Sequence, residues 1–144
     1  AFERKFDPLK MPWPIPDESV EEANSMYLLN RLAGAQRIKF MDELHRVLIP
    51  GGKCTILVPY WSSARSVQDP LLPWPPLVEQ SFLYFNKAWR DANKIPYMIH
   101  CDFDFVYGYT LDPDTASRGD DTRPFWTKHY NNAINDLQVV VTKR

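Results

Sequence analysis

Three groups of side chains in this sequence could do chemistry. Asp102 and Asp104 stand at i and i+2 of an alternating run, Cys101 to Tyr109, which puts both carboxylates on one face of a strand and Cys101, Phe103, Phe105, Tyr107 and Tyr109 on the other. Paired carboxylates can exchange a proton or hold a cation; a solvated acidic strand face has the same pattern and is the commoner case. The second group is aromatic. Tyr60, Trp61 and Trp74 fall in one proline-rich stretch, Pro59 to Pro76, and Trp13 in another, Pro8 to Pro16. Such rings can stack on a planar ligand or pack a loop onto a core. The histidines form the third group. His45, His100 and His129 are far apart and lack metal-ligand spacing, so no metal site is expected. His45 falls on the polar face of a helix and reads as solvated. Cys54 and Cys101 fit neither a zinc spacing nor a disulfide framework and read as small buried hydrophobes.

The elements that position these residues follow from periodicity and breakers. Ile38, Met41, Leu44 and Leu48 recur at helical spacing, which predicts a helix over Gln36 to Leu48. Pro50-Gly51-Gly52 reads as the turn that ends it. Lys53 to Val58 follows as an apolar run without polar alternation, the pattern of a strand buried on both faces. A helix is expected over Glu79 to Asn93, a strand from Cys101, a mobile loop over Asp112 to Arg123, and a last strand over Leu137 to Thr142. Val20 to Gly34 admits two readings. Ser19 and Glu22 form a capping-box pattern that Gly34 could close as a helix, whereas the alternative is a short strand near Val20 to Ser25.

The second alternative is the one implied by a family resemblance. Pro12-Trp13-Pro14-Ile15-Pro16-Asp17-Glu18-Ser19, then Met41-Asp42-Glu43-Leu44-His45-Arg46-Val47-Leu48-Ile49-Pro50-Gly51-Gly52, resemble the segments that precede the fourth and fifth strands of class I S-adenosylmethionine (SAM)-dependent methyltransferases. The resemblance implies a strand near Val20 to Ser25, a helix beginning near Tyr27, and antiparallel sixth and seventh strands near Tyr107 and Val140. The fold class is then α/β: a partial Rossmann-like methyltransferase fold, in three layers, with a mixed sheet of about four strands and flanking helices. Residues 1–144 form a single domain equivalent to the C-terminal half.

The resemblance also implies SAM as methyl donor. Asp7 would accept a hydrogen bond from the adenine amino group, with Pro8, Leu9, Ser25 and Met26 completing the cofactor side. Tyr60, Trp61, Arg65 and Asp69, in the loop after the fifth strand, would contact the substrate. No catalytic residue is assigned. Two histidines found in many relatives are replaced here, by Arg31 after Asn30 and by Leu72 in Asp69-Pro70-Leu71-Leu72. The family's first strand and glycine-rich turn should precede Asp7, yet the six residues before it contain no glycine. A truncated or degenerate methyltransferase, inactive as an isolated chain, is therefore expected, with a non-catalytic interaction module on the same fold as the alternative.

Composition sets the outer bounds. Of the 144 residues 44% are hydrophobic and 24% charged, which suits a globular chain rather than a disordered one. A formal net charge of −1 gives no footprint for nucleic acid or an anionic membrane. No apolar run approaches the ~20 residues of a membrane span, and a cytoplasmic location is the default expectation. A sheet lacking its first three strands would leave an edge near Val20 to Ser25 and Cys54 to Val58. A homo-oligomer or a partner protein is expected to cover it, unless the arm carrying Trp13 folds over that side.

Overall fold

The computed structural model describes residues 6–144. Strands β1 (Val20–Met26) and β2 (Leu48–Pro59) are parallel, and helix α1 (Gly34–Val47) makes the return between them. Helix α2 (Lys87–Ala92), strand β3 (Phe103–Leu111), short helices α3 (Pro113–Ala116) and α4 (Arg123–His129), and strand β4 (Ile134–Lys143) complete the chain. The sheet order is β1-β2-β4-β3, with β4 antiparallel to both neighbours. Tyr107 faces Val139 and Val106 faces Val140 across the β3–β4 ladder, as the expected antiparallel pair requires. The short-strand reading of Val20 to Ser25 holds, although its local propensity is poor. Pairing with β2 overrides it.

The Pro-Gly-Gly segment is not a turn outside the strand. Helix α1 ends one residue earlier, where Leu48 is extended and its N–H still bonds Leu44. Residues 49–52 then bulge within β2, because Val20 pairs with Leu48 while Glu22 pairs with Lys53. Gly51 has φ of 77°, the left-handed region, and a Cβ on Gly52 would lie 2.8 Å from the carbonyl oxygen of Ile49.

One face of the sheet is covered. Cys54, Ile56 and Val58 of β2 and Leu137, Val139 and Val141 of β4 pack with Phe40, Met41, Leu44 and Val47 of α1. The opposite face carries Glu22, Asn24, Met26, Lys53, Asp104, Val106 and Gln138, all exposed. Thr55 and Leu57, which share that face, are half-buried. The expectation of a strand buried on both faces, and of a third layer, is therefore not met among the described residues.

The N-terminal arm is held by α1. Trp13 is buried against Phe40, with ring centroids 5.4 Å apart. Its N–H donates to Glu43 at 2.6 Å, and Arg46 reaches the carbonyl oxygens of Trp13 and Ile15 as well as Asp17. Residues read from the sequence as the outer faces of the helix thus bind the arm. Asp42 does the same elsewhere, accepting the N–H groups of His100 and Cys101 at 3.0 and 2.9 Å.

Other expectations are corrected. The helix predicted from Tyr27 is a single 3-10 turn, Leu29–Arg31, and Gly34 opens α1 instead of closing a helix. The helix over Glu79 to Asn93 is two pieces, a 3-10 segment Glu79–Phe85 and α2. They are divided at Asn86, whose side chain caps α2 by accepting the Trp89 N–H. The loop over Asp112 to Arg123 contains α3, capped by Asp112 with Pro113 at its first position. His45 is half-buried rather than solvated, its ring 5.2 Å from Phe103 and its Nε2 unpartnered; burial lowers its pKa. Both cysteines are buried and free, and burial pushes the Cys54 thiol up to about 12.

Candidate site at the carboxyl ends of the parallel strands

In open parallel sheets, ligands gather outside the carboxyl ends of the strands. Here that edge is formed by the ends of β1 and β2 together with the start of β4. The chain leaves β1 through Tyr27, whose φ of 55° is left-handed, a conformation that costs a bulky residue about 1–2 kcal/mol. The Tyr27 N–H still bonds Leu57 at 2.8 Å. Its hydroxyl donates to Asp136 at 3.0 Å. Arg65, from the loop after β2, donates to both oxygens of the same carboxylate at 3.0 and 3.1 Å and lies over the Tyr27 ring at 5.5 Å. Asp136 is buried, and these contacts satisfy it. The triad ties together three segments that the sheet brings to one edge.

A second cluster adjoins it. The Tyr60 N–H bonds the Asn135 carbonyl, fixing Tyr60 directly after β2. Its ring is 5.3 Å from Tyr109 and 6.3 Å from Trp61. Burial, with the Glu79 carboxylate as a further cause, holds the Tyr60 phenol above its ordinary value against an opposing hydrogen bond from Trp61. Burial and the same carboxylate raise Tyr109 as well. Beside Trp61 runs a shallow groove of about 250 Å³ bounded by Ser62, Ser63, Ala64, Val67, Asn131 and Asn132.

The residues proposed from the sequence fall into three places. Tyr60, Trp61 and Arg65 lie together at this edge. Asp69 does not join them by any hydrogen bond; its carboxylate caps the Leu71 N–H at 3.0 Å in the proline-rich loop. On the cofactor side, Ser25 and Met26 end β1. The Ser25 Oγ is buried without a partner, and Met26 is half exposed. Asp7 is exposed and accepts the Leu9 N–H at 2.9 Å, while the Pro8 carbonyl accepts the Trp13 indole N–H at 3.0 Å; Leu9 is exposed. No hydrogen bond joins this turn to Ser25 or Met26. Tyr27, Glu79 and Asp136 were not singled out from the sequence. The available signal was Asp136, the one carboxylate in β4, directly before Leu137 and the Val139–Val141 run.

The residues present fit SAM at one end only. At the end of β1 the orphaned Ser25 hydroxyl is buried on the covered side of the sheet and Met26 lies on the open side, so only the strand end between them is left for a ribose or a purine. None of the glycines makes a strand-to-helix turn for the amino-acid end: Gly34 opens α1, Gly51 and Gly52 sit in the bulge, Gly108 is within β3 and Gly119 precedes α4. The histidines are elsewhere; His100 and His129 are exposed, and the His129 ring sits 4.3 Å from Phe125 of α4. Among the described residues no three His, Cys, Asp or Glu side chains are grouped to hold a metal ion.

No protein-family model matches the sequence, and no curated protein matches it. Solved structures do match. A SAM-dependent methyltransferase from Archaeoglobus fulgidus superimposes with a TM-score of 0.62 at 10% identity, over 97% of this chain and 66% of that one. A complex of the Haloferax volcanii Trm112 methyltransferase activator with a candidate methyltransferase gives 0.57 at 19%, over 96% and 59%. The [4+2]-cyclase SpnF gives 0.52 at 15%, over 96% and 54%. The chain thus spans between 54% and 66% of the length of these three. At such identities the likeness speaks to architecture: the fold is the α/β fold of SAM-dependent methyltransferases, in the portion that runs from a parallel strand pair to the antiparallel β3–β4 pair.

Proposed function

We propose that this chain serves SAM-dependent methyl transfer, with the acceptor held at the carboxyl edge of β2 by Tyr60, Trp61 and Arg65 and the donor's adenosine end against Ser25 and Met26. The observation that carries this reading is the convergence of an orphaned Ser25 hydroxyl, the Tyr27–Asp136–Arg65 triad and the Tyr60 cluster on one sheet edge. The fold alone would not carry it, since a cyclase shares the architecture. With no turn to grip the amino-acid end, the 144-residue chain is expected to hold SAM weakly. Calorimetry should show saturable binding with a dissociation constant well above the micromolar range; no saturable binding contradicts the methyl-transfer reading, and saturation in the low micromolar range contradicts the expected weak hold alone.

A second reading, a non-catalytic module on the same fold, draws on the absence of any histidine from the cluster and on the edge of β1. That edge pairs only with β2 among the described strands, and Glu21, Glu22 and Asn24 remain exposed. We propose that a second copy or a partner protein covers it, in line with the activator complex among the structural neighbours. The arm bearing Trp13 packs on α1 and leaves those three residues exposed. Light scattering across a concentration series should report association; a monomer at every concentration refutes it. Activity of the whole protein, if a cytoplasmic enzyme, would follow from the first reading and not the second.

A further inference from the structure

The groove beside Trp61 is a built feature of the carboxyl edge. Two segments far apart in sequence form it, and hydrogen bonds clip them together. The Asn132 N–H donates to the Ser62 carbonyl at 3.0 Å, and the Asn132 Oδ1 accepts the Ala64 N–H at 2.7 Å. Asn132 makes both contacts from a left-handed φ of 60°, which asparagine tolerates better than most residues. None of the residues that line the groove is charged. Trp61 is the one ring among them and is 51% exposed; Tyr60 supports it from 6.3 Å at an angle of 60°. The chain's own cations use other rings: Arg65 lies over Tyr27 and Arg118 over Trp126. Polar groups of the lining are also uncommitted. The Asn131 amide, the Asn132 Nδ2 and the Ser62 hydroxyl make no hydrogen bond among the described residues.

We infer that this groove binds one neutral sugar ring, a hexopyranose with its C–H face on the Trp61 indole and its hydroxyls on Asn131, Asn132 and Ser62. The volume of about 250 Å³ is below the ~300–1,000 Å³ of sites for drug-sized ligands, which sets the scale at a single ring. The lining offers no counter-charge, so an anion or a cation would lose hydration on entering and gain no partner. An amide both donates and accepts, as a hydroxyl does, so neighbouring sugar hydroxyls can be matched group for group. The shallow shape decides between a sugar and a planar aromatic ring. A ligand here keeps one side in water. That costs a sugar little, because its outer side carries hydroxyls, whereas an aromatic ring would leave an apolar face wet. The inference rests on the proposed methyl-transfer reading only in making this sugar the methyl acceptor; binding in the groove does not depend on it.

The test titrates methyl β-D-glucopyranoside, methyl β-D-galactopyranoside and methyl α-D-mannopyranoside into the 144-residue chain, with nicotinamide as a planar neutral amide for comparison. The indole N–H resonance of Trp61, assigned by its loss in Trp61→Phe, reports the groove. At least one sugar should shift it saturably with a dissociation constant in the millimolar range, the strength expected of one small ring, and nicotinamide should bind about fivefold or more weakly. Asn131→Ala removes an exposed amide that holds no other residue in place, and should weaken that sugar about threefold to tenfold. Trp61→Ala, followed by saturation transfer to the sugar protons, should weaken it about tenfold or more. No saturable shift with any of the three sugars overturns the inference. Nicotinamide binding as tight as the best sugar, or undiminished sugar binding in either variant, overturns it as well. Sugar binding without SAM binding leaves the groove assignment standing and removes the methyl-transfer reading; SAM binding without sugar binding does the reverse.

Discussion

Gly52→Ala is expected to destabilise the fold by about 2–3 kcal/mol, against about 1–2 kcal/mol for Gly51→Ala. The two glycines are adjacent, yet they are required for different reasons. At Gly51 the cost is conformational, since φ is 77° and nothing lies within 4 Å of an added Cβ. At Gly52 the added Cβ would sit 2.8 Å from the Ile49 oxygen, 3.1 Å from that of Val20 and 3.2 Å from that of Glu21. All three are backbone atoms of the β1–β2 bulge, so none can swing aside without breaking the ladder. For a domain stabilised by about 5–15 kcal/mol, such a loss is a large share. Urea unfolding of the two variants checks the order. Equal midpoints for both would show that the bulge does not close as described.

The second large effect is expected at Asp136. Asp136→Ala removes the acceptor for the Tyr27 hydroxyl and for two Arg65 contacts in one step, and should cost about 2 kcal/mol. The ion-pair share of that figure is small because the Arg65 side chain is 45% exposed and solvent screens it. Most of the loss comes from the partners left unpaired, with Tyr27 still held in a left-handed conformation. Asp136→Asn keeps an acceptor for Tyr27 and should lose roughly half as much. Near-ultraviolet circular dichroism should report the freed Tyr27 ring in the Ala variant. A variant as stable as the parent, with an unchanged aromatic signal, would contradict the role given to the triad.

The contrast between these two positions shows what a sequence exposes. The glycine pair was visible as punctuation, and its helix and strand neighbours as periodicity; the spectrum of apolar residues over Ile38 to Val58 was enough to place α1 and β2. That Gly51 and Gly52 bulge inside β2 was not visible, because the register is set by β1, a strand of poor local propensity. The same limit applies to the helix over Glu79 to Asn93. Its apolar spacing is helical throughout, but Asn86 uses its side chain to start a new helix and splits the segment. Strand β3 is legible by alternation, including Tyr109, whose ring packs on Tyr60. Tyr60, Trp61 and Arg65 were legible as a loop that the family resemblance singles out. Tyr27 and Asp136, which meet Arg65 at that edge, are not, since contacts across 71 and 109 positions of sequence leave no local pattern.

The reading of the carboxyl edge as a methyl-transfer site is tested most directly by mapping where S-adenosylhomocysteine touches the chain. Backbone amide shifts recorded during a titration to millimolar concentration report weak binding residue by residue. The account predicts saturable shifts confined to Ser25, Met26 and Tyr27 at the end of β1 and to the first residues after β2. Shifts centred on the open face around Val106 and Gln138, or no shifts at all, would contradict it.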